Sequence, residues 1–398
     1  MGKVINTDTR YILLVKPNQD IRFDSLIKIP VENGKFQYES KLENPEAVKL
    51  FLGEAKENRG GRFMPLFLEN EKIELTIYSE EEFDKNIAKG GKFNAEYEDY
   101  KNDLALKFDE KLRPLQDSLD ILGKNYNDIN QSLLTLNAEF EKTKNVTRKN
   151  TLQQKLNDLE IDSKNVMAKG KSLESKLSSI YSQQSLFQKE YMKKNTTMLS
   201  YYFLLNDLIS YIPNKRIFNK EIIDIELAKS TSEKLAKEYL NHPYNVLASN
   251  LLRAIDNIKI GNDYVDFTSP DLDGNQFTLS EEINGKVSLL NLWATWCAPC
   301  IKKSRTMVPL YNEFKDKGFT IVGVAGEFKN TDRLVKFRKK EKWPWLNLVE
   351  LERKNSIWLK YGVDNSGGAI FLIDEKGKIL AMDPTAEEVK KELEKRLN

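Results

Sequence analysis

Val287-Ser-Leu-Leu-Asn-Leu-Trp-Ala-Thr-Trp-Cys-Ala-Pro-Cys300 decides the reading of this chain. Val287 to Trp293 is a nearly continuous apolar run, the pattern of a strand buried on both faces. Residues from about 298 to 316 read as helix, so both cysteines stand where a buried strand hands over to a helix. At a helix N-terminus the unpaired N–H groups and the helix dipole favour an anion, which stabilises a thiolate on Cys297. Such placement lowers a cysteine pKa from about 8.5 into the range of roughly 3.5–7.5. Two intervening residues leave Cys300 close enough to form a disulfide, and it is expected to be the more deeply buried of the two. Cys297 is the candidate nucleophile and Cys300 the candidate thiol that resolves a mixed disulfide. Pro299 stiffens the turn and suits the first helical turn. Trp296, Ala298 and Pro299 are candidates for the rim where a substrate docks.

These are the only two cysteines in 398 residues. A pair at this spacing cannot close a long loop, so it is a poor structural staple. One histidine, His242, is too little to complete a four-ligand zinc site. It reads as a surface or capping residue at a helix start. No metal is expected, and no cofactor other than the redox-active disulfide.

Phe319 to Val324 is a second buried strand, and Asp332 to Lys342 is helical. Phe371 to Ile373 is a strand that turns at Lys376-Gly377 into Ile379-Leu380, and 385–397 is a final helix. A sheet covered on both faces is the α/β outcome of that order. Residues 259–398 are therefore expected to form one α/β module. All five tryptophans fall in it.

Upstream the texture differs. Residues 9–79 alternate apolar and polar, with Ile21, Phe23, Ser25, Ile27 and Ile29 on one parity. Asn33-Gly34 supplies a hairpin turn before Phe36. Val48 to Leu52, Phe63 to Leu68 and Ile73 to Tyr78 read as further strands, so residues 1–82 are expected to be a small antiparallel β-domain. Residues 83–258 read as all-α. Phe108, Leu112, Leu115, Leu119, Leu122, Tyr126, Ile129, Leu133, Leu136 and Phe140 keep an unbroken 4,3 spacing, a coiled-coil seam. A second seam runs from Leu152 to Tyr191 through Val166, Leu177, Ile180 and Phe187, out of phase with the first across 141–151. An antiparallel helical hairpin over about 98–195 follows, with Pro114 kinking its first arm or marking its start. Two helices packed on each other, or a rod that dimerises or binds a partner, both fit that pattern.

Composition narrows the class further. The net charge is +2 with acids and bases interspersed, which argues against a nucleic-acid partner. No stretch approaches 18 consecutive apolar residues, so no transmembrane segment is expected. Tyr201 to Ile212, broken by Asn206 and Asp207, reads as a buried helix. No signal peptide is visible, which suits either a cytosolic chain or an exported one that has lost its signal.

Asn291-Leu-Trp-Ala-Thr-Trp-Cys-Ala-Pro-Cys300 resembles the active site of the TlpA/ResA-like branch of the thioredoxin superfamily. Ile260-Gly261, Asp266-Phe267, Asp271-Leu-Asp-Gly274 and Gly285-Lys286-Val287 resemble its lead-in. Phe371-Leu-Ile-Asp374 with Gly377-Lys378-Ile379 resembles its closing hairpin. The resemblance covers about 262–398. Asp24-Ser25 and Gly34-Lys35-Phe36 resemble the β-domain that precedes such modules in envelope proteins of Bacteroidetes-like bacteria. The resemblance implies an exported thiol–disulfide oxidoreductase of the periplasm or cell envelope. It implies a protein thiol or disulfide substrate, such as an apocytochrome in cytochrome c biogenesis, and a membrane dithiol as electron donor.

The chain departs from the branch in three places. Gly368, in Ser366-Gly367-Gly368-Ala369, stands where these modules carry a cis-proline, so the loop is expected to be trans or mobile. Gly367, Gly368 and Ala369 are taken as rim positions facing the dithiol. Lys303 replaces a glutamate and Arg305 a proline. A lysine near the sulfurs would favour thiolate, but a solvated lysine on the helix surface is the reading preferred. Glu327, after a buried strand, is a candidate proton relay or, as the preferred reading, a solvated surface acid. A redox-degenerate envelope module that uses the thioredoxin fold and the hairpin to bind or scaffold partners is the alternative. A thiol peroxidase is disfavoured, because Leu290 and Ala294 occupy the places of its proline and threonine.

Overall fold

The computed structural model describes residues 1–23, 25–58, 60–125, 131–143, 146–161, 168–218, 223–365 and 367–397. Two compact units emerge, one of Met1–Ala95 with Asn195–Asn398 and the other of Glu96–Lys194.

At the centre of the first unit is a five-stranded sheet in the spatial order Leu346–Leu351, Phe319–Glu327, Val287–Trp293, Ala369–Ile373, Ile379–Met382. The first three strands are parallel, and the last two run antiparallel to their neighbours. All seven residues of Val287–Trp293 are buried, as their composition demands of a strand paired on both edges and covered on both faces. On one face Leu289, Ile370 and Leu372 pack against Met307, Leu310 and Phe314 of the Ala298–Phe314 helix and Val389 and Leu393 of the Ala386–Leu397 helix. On the other, Leu290, Leu292, Val322 and Phe371 pack with Trp358 and Tyr361, and with Ala254 of the Pro243–Asn257 helix. The α/β thioredoxin-like arrangement is thus present, and a helix from the central region helps to cover it.

The Leu346–Leu351 edge strand has no counterpart in the sequence reading, because two polar residues interrupt its apolar pattern. Both are buried. The Glu350 carboxylate accepts from the amides of Ile357 at 2.7 Å and Trp358 at 3.2 Å, and burial pushes its pKa up. Asn347 donates to the Trp345 carbonyl at 2.9 Å.

The N-terminal residues form two four-stranded sheets around an apolar layer that includes Leu14, Val48, Leu50, Leu66 and Ile77. All pairs are antiparallel except Gly2–Ile5 with Glu74–Tyr78. Strand Ile87–Lys89 completes one sheet, so that sheet continues past residue 82. Asn33 and Gly34 turn the chain with φ of 50° and 71°. Their two arms join different sheets: Ile27–Pro30 pairs with Tyr11–Val15, and Lys35–Phe36 with Gly2–Ile5. A hairpin signal here serves a crossing between sheets. Asp24, part of the resemblance noted above, lies outside the described residues.

Helices Met198–Phe218, Ile225–Glu238 and Pro243–Asn257 complete this unit. Met198, Tyr201, Leu204, Leu205 and Leu208 are buried, as the Tyr201–Ile212 run implied. Tyr244 exchanges hydrogen bonds with Ala47, donating to its carbonyl at 2.8 Å and accepting from its amide at 3.1 Å. His242 caps the Pro243–Asn257 helix, accepting from the Tyr244 amide at 3.1 Å, and its Nε2 lies 2.8 Å from the Pro45 carbonyl oxygen. It is a buried cap and not a surface residue, and that burial pushes its pKa down.

In the second unit, Phe108 and Leu112 pack against Leu177 and Ile180. Tyr100 packs against Phe187 at a tilt and against Tyr191 edge-on, and Gln116 donates to the Tyr181 hydroxyl at 3.1 Å. Rising numbers on Lys92–Asn125 meet falling numbers on Ala168–Lys194, so the two helices are antiparallel. Gln131–Lys142 and Val146–Ile161 are two further helices of this unit, linked by Arg148, which donates to Glu139 at 2.7 Å. Pro114 lies inside its helix and does not begin it. Tyr126, Ile129 and Val166 of the expected seams lie outside the described residues.

Leu290→Ala, at a position 1% exposed in the central strand, is expected to lower unfolding free energy by about 2–5 kcal/mol. Leu106→Ala, at a position 84% exposed on the helical hairpin, should stay within about 0.5 kcal/mol. Urea unfolding of both variants checks this, and equal midpoints would contradict the burial pattern.

Candidate active site

The central strand ends at Trp293, and four residues later Cys297 caps the Ala298–Phe314 helix. Its sulfur accepts from the Cys300 amide at 3.3 Å, so it sits at the positive end of the helix. Cys297 and Cys300 are joined as a disulfide. Two buried tethers hold strand and helix in register. The Asn291 side chain donates to the Ser304 hydroxyl at 2.8 Å, between strand and helix. Glu327, at the end of the neighbouring strand, accepts from both the amide and the hydroxyl of Thr295 at 2.8 Å. Glu327 is 4% exposed, so it is a buried anchor for the loop before Cys297 and not the solvated acid expected from sequence.

The depth of the two cysteines reverses the expectation. Cys297 is 6% exposed, whereas Cys300 is only half-buried. Cys297 joins the apolar cluster that contains Ala294, Trp358 and Val363. Cys300 faces Gly368, which has no side chain to cover it. The Gly368 amide donates to the Cys300 sulfur at 3.3 Å. A Cβ at position 368 would overlap the Leu292 carbonyl oxygen and stand 3.0 Å from that sulfur, so close approach of backbone to strand requires glycine here. No peptide bond among the described residues is cis.

The remaining rim candidates divide. Ala298 and Pro299 are exposed beside the disulfide, and a Cβ on Gly367 would meet nothing within 4 Å. Ala369 is 3% exposed and belongs to the core at the start of its strand, so it offers no rim surface. Lys303 is half-buried and still partly exposed to solvent. Its ammonium lies 2.7 Å from the Asp383 carbonyl oxygen and 3.5 Å from that residue's carboxylate. Arg305 forks onto Glu341 at 2.7 and 2.8 Å, and this pairing holds the Glu341 carboxyl below its usual range.

Trp296 shows what sequence reasoning missed. Its indole donates to the Gly326 carbonyl at 3.0 Å, and its ring stacks on Phe328 with centroids 4.6 Å apart. Arg22, from the N-terminal β-domain, lies over both rings, 4.7 Å from Trp296 and 3.9 Å from Phe328. Its guanidinium also forks onto Asp20 at 2.7 Å and donates to the Asn365 carbonyl at 2.6 Å, in the loop that leads to Gly368. Phe23 packs on Phe328, and the Ser25 amide donates to Glu352. In sequence Arg22 is one polar residue in an alternating run, and nothing local marks it.

Chemically, this is a disulfide with a backbone amide on each sulfur. No group of three His, Cys, Asp or Glu able to hold a metal gathers among the described residues. A cavity of about 820 Å³ does open in the N-terminal β-domain, lined by Leu14, Ile29, Phe36, Leu66 and Leu75 among others, but no residue of the disulfide's surroundings lines it.

Two parts of the chain match known families. Residues 260–382 match the AhpC/TSA family, and residues 1–97 match a domain of unknown function, DUF4369. The chain is 34% identical over 143 residues to the thiol-disulfide oxidoreductase ResA of Bacillus thuringiensis subsp. konkukian, spanning 35% of this chain and 78% of that one. With ResA of Geobacillus thermodenitrificans it shares 31% over 142 residues, spanning 34% and 78%. Among solved structures, the thioredoxin domain of a thiol-disulfide oxidoreductase from Bacteroides vulgatus is 28% identical, with a TM-score of 0.32, covering 35% of this chain and 99% of that one. A thiol:disulfide interchange protein from Bacteroides sp. is 29% identical, with a TM-score of 0.32, covering 35% and 91%.

Arg22→Ala should remove the cation–π contact and cost about 1–2 kcal/mol in urea unfolding, with a change in tryptophan emission. Arg22→Lys should recover only part of it, because an ammonium cannot both stack and fork. Full stability in Arg22→Ala would show that the contact contributes nothing.

Proposed function

Since the chain belongs to the ResA family of thiol–disulfide oxidoreductases, we propose that Cys297 and Cys300 are the couple that carries its reaction, and that the reaction reduces disulfides in proteins. The observation that carries this reading is Cys297 itself, disulfide-bonded to Cys300 with its sulfur at the N-terminus of the Ala298–Phe314 helix. In the reduced protein the Cys297 thiolate attacks one sulfur of a substrate disulfide, and the other substrate sulfur leaves as a thiolate. Cys300, deprotonated in turn, attacks Cys297 and expels the second substrate thiolate. The protein is left as the Cys297–Cys300 disulfide, and two electrons from a dithiol donor restore it. The disulfide is the only redox group this scheme needs, with no metal and no other cofactor.

The surroundings serve these steps. The amide of Cys300 supports negative charge on Cys297, and Glu327 fixes the preceding loop through Thr295. Trp296, Ala298, Pro299, Gly367 and Gly368 form the rim that a substrate chain meets. Similarity to ResA supports a place in the periplasm or cell envelope, a membrane dithiol as electron donor, and an apocytochrome or other envelope protein as substrate. No helix among the described residues is long and apolar enough to cross a membrane. On the helical hairpin, Leu106, Ile121 and Leu186 are 84%, 59% and 60% exposed, which supports a dimer or partner contact there.

The burial of Cys297 favours a second reading, a redox-degenerate module that binds or scaffolds partners. The two readings differ in what Cys297→Ser does: it abolishes activity in the first and leaves binding intact in the second.

Cys300→Ser is expected to accumulate mixed disulfides on Cys297, seen by non-reducing electrophoresis after exposure to a disulfide substrate. The wild-type couple, measured in thiol buffers, should lie near or below about −230 mV for a reductase. A value near −120 to −180 mV would mark an oxidant or isomerase. Absence of both trapping and a reversible two-electron couple would leave the binding reading in place.

A further inference from the structure

The two sulfurs of the disulfide are not alike in their surroundings, and the less expected feature belongs to Cys300. Its sulfur receives the backbone N–H of Gly368 at 3.3 Å, from the loop across the site. The geometry leaves little freedom. A Cβ at 368 would overlap the Leu292 carbonyl oxygen and press on the Cys300 sulfur at 3.0 Å. Glycine brings the backbone this close, and unlike proline it keeps an N–H to donate.

We propose that the Gly368 N–H is a catalytic donor to Cys300, holding the negative charge that reaches this sulfur whenever the Cys297–Cys300 bond is broken. The proposal rests on the oxidoreductase reading for its chemistry. A thiolate of the dithiol donor attacks the Cys297 sulfur. A donor–Cys297 disulfide forms, the Cys297–Cys300 bond breaks, and its electron pair leaves on Cys300 as a thiolate. The donor's second thiolate then displaces Cys297, leaving both cysteines reduced and the donor oxidised. In the opposite sense, Cys300 is the thiolate that attacks Cys297 to release substrate. Both steps pass through an array with Cys297 at its centre and charge at its ends, so a donor fixed on Cys300 eases its departure as thiolate, and in the attacking direction raises the fraction of Cys300 that is thiolate while making that thiolate a weaker nucleophile.

Charged side chains around the site are engaged elsewhere. Lys303 is held by Asp383, and Glu327 by Thr295. Glu350 receives the Ile357 and Trp358 amides, and Arg353 lies over the Trp358 ring at 4.0 Å. Arg22 is taken by Asp20 and Asn365, and Arg305 by Glu341. Among the described residues, the hydrogen bonds to the two sulfurs both come from backbone amides. A Cys300 pKa below that of a free thiol would have to come from such a donor or from the helix terminus. An amide signal that follows the titration separates these two sources. A charge-assisted hydrogen bond of ordinary strength favours the thiolate by about tenfold, lowering the Cys300 pKa by about 1.

The test uses the full-length Cys297→Ser protein, in which Cys300 is the one remaining thiol, kept reduced with a phosphine. Thiolate absorbance at 240 nm gives the Cys300 pKa. The Gly368 amide is followed in protein labelled with ¹⁵N- and ¹³C-carbonyl glycine. Only three Gly-Gly pairs exist, at 60–61, 90–91 and 367–368, so Gly367→Ala identifies the Gly368 signal by erasing its carbonyl coupling. That substitution is tolerated sterically, since a Cβ at 367 meets nothing within 4 Å. The expected result is a Cys300 pKa below about 8.5 and a downfield movement of the Gly368 amide proton with the same midpoint. An amide that does not follow the titration, or a thiol that titrates at or above about 8.5, overturns the proposal. Wild-type reduction of a model protein disulfide is assayed alongside. Turnover without the amide response rejects the Gly368 role alone, and the amide response without turnover rejects the oxidoreductase reading alone.

Discussion

The Val287–Trp293 strand is paired on both edges and covered on both faces, and this constraint sets the position of everything around the disulfide. A strand so enclosed cannot shift register without moving apolar side chains out of two packed layers. Its end is therefore a fixed point, and the short loop from Ala294 to Trp296 delivers Cys297 to one place, the start of the following helix. The polar tethers work on the same handover. Asn291 to Ser304 binds the strand to the helix, and Thr295 to Glu327 binds the loop to the adjacent strand. Each is buried, so each would leave an unsatisfied polar group if broken.

The N-terminal β-domain is joined to this site and not merely tethered upstream of it. Arg22 lies over Trp296 and Phe328 and reaches the Asn365 carbonyl, so one guanidinium touches both the flank of the dithiol and the loop that carries Gly368. Asp20 fixes its plane through a two-pronged ion pair. The flat, weakly hydrated guanidinium suits stacking and forked hydrogen bonding at once. The face of Trp296 that an isolated module would present to solvent is covered here by another part of the same chain. What stays exposed beside the disulfide is Ala298 and Pro299.

The departures from the TlpA/ResA-like pattern acquire physical meaning in this frame. Lys303 does not act on the sulfurs, because Asp383 takes its ammonium. Arg305 braces the helix against Glu341. Gly368 is the departure with chemical consequence, since it allows the backbone to approach Leu292 and Cys300 and presents an N–H to sulfur. It also leaves Cys300 less covered than Cys297, the reverse of what motif spacing alone suggests.

The division between what sequence determined and what tertiary structure decided follows the range of the interactions involved. Local pattern sufficed for the C-terminal sheet's buried strands, for the helix that begins after Cys297, for the N-terminal β-structure and for the paired helices of 96–194, because period and capping act over a few residues. It also sufficed to single out Cys297 and Cys300, whose spacing and position are local. The Leu346–Leu351 strand escaped, because buried Asn347 and Glu350 look like surface residues until their partners at Trp345, Ile357 and Trp358 are in place. Glu327 was misjudged and the burial of the capping His242 missed for the same reason: a polar side chain carries no sign in sequence of the distant amide or carbonyl that will satisfy it. The Asn33-Gly34 turn was legible, but not that its arms part to separate sheets. Only the fold could bring Arg22 to Trp296 and Gly368 to Cys300, contacts between residues far apart in the chain that depend on how packed layers meet.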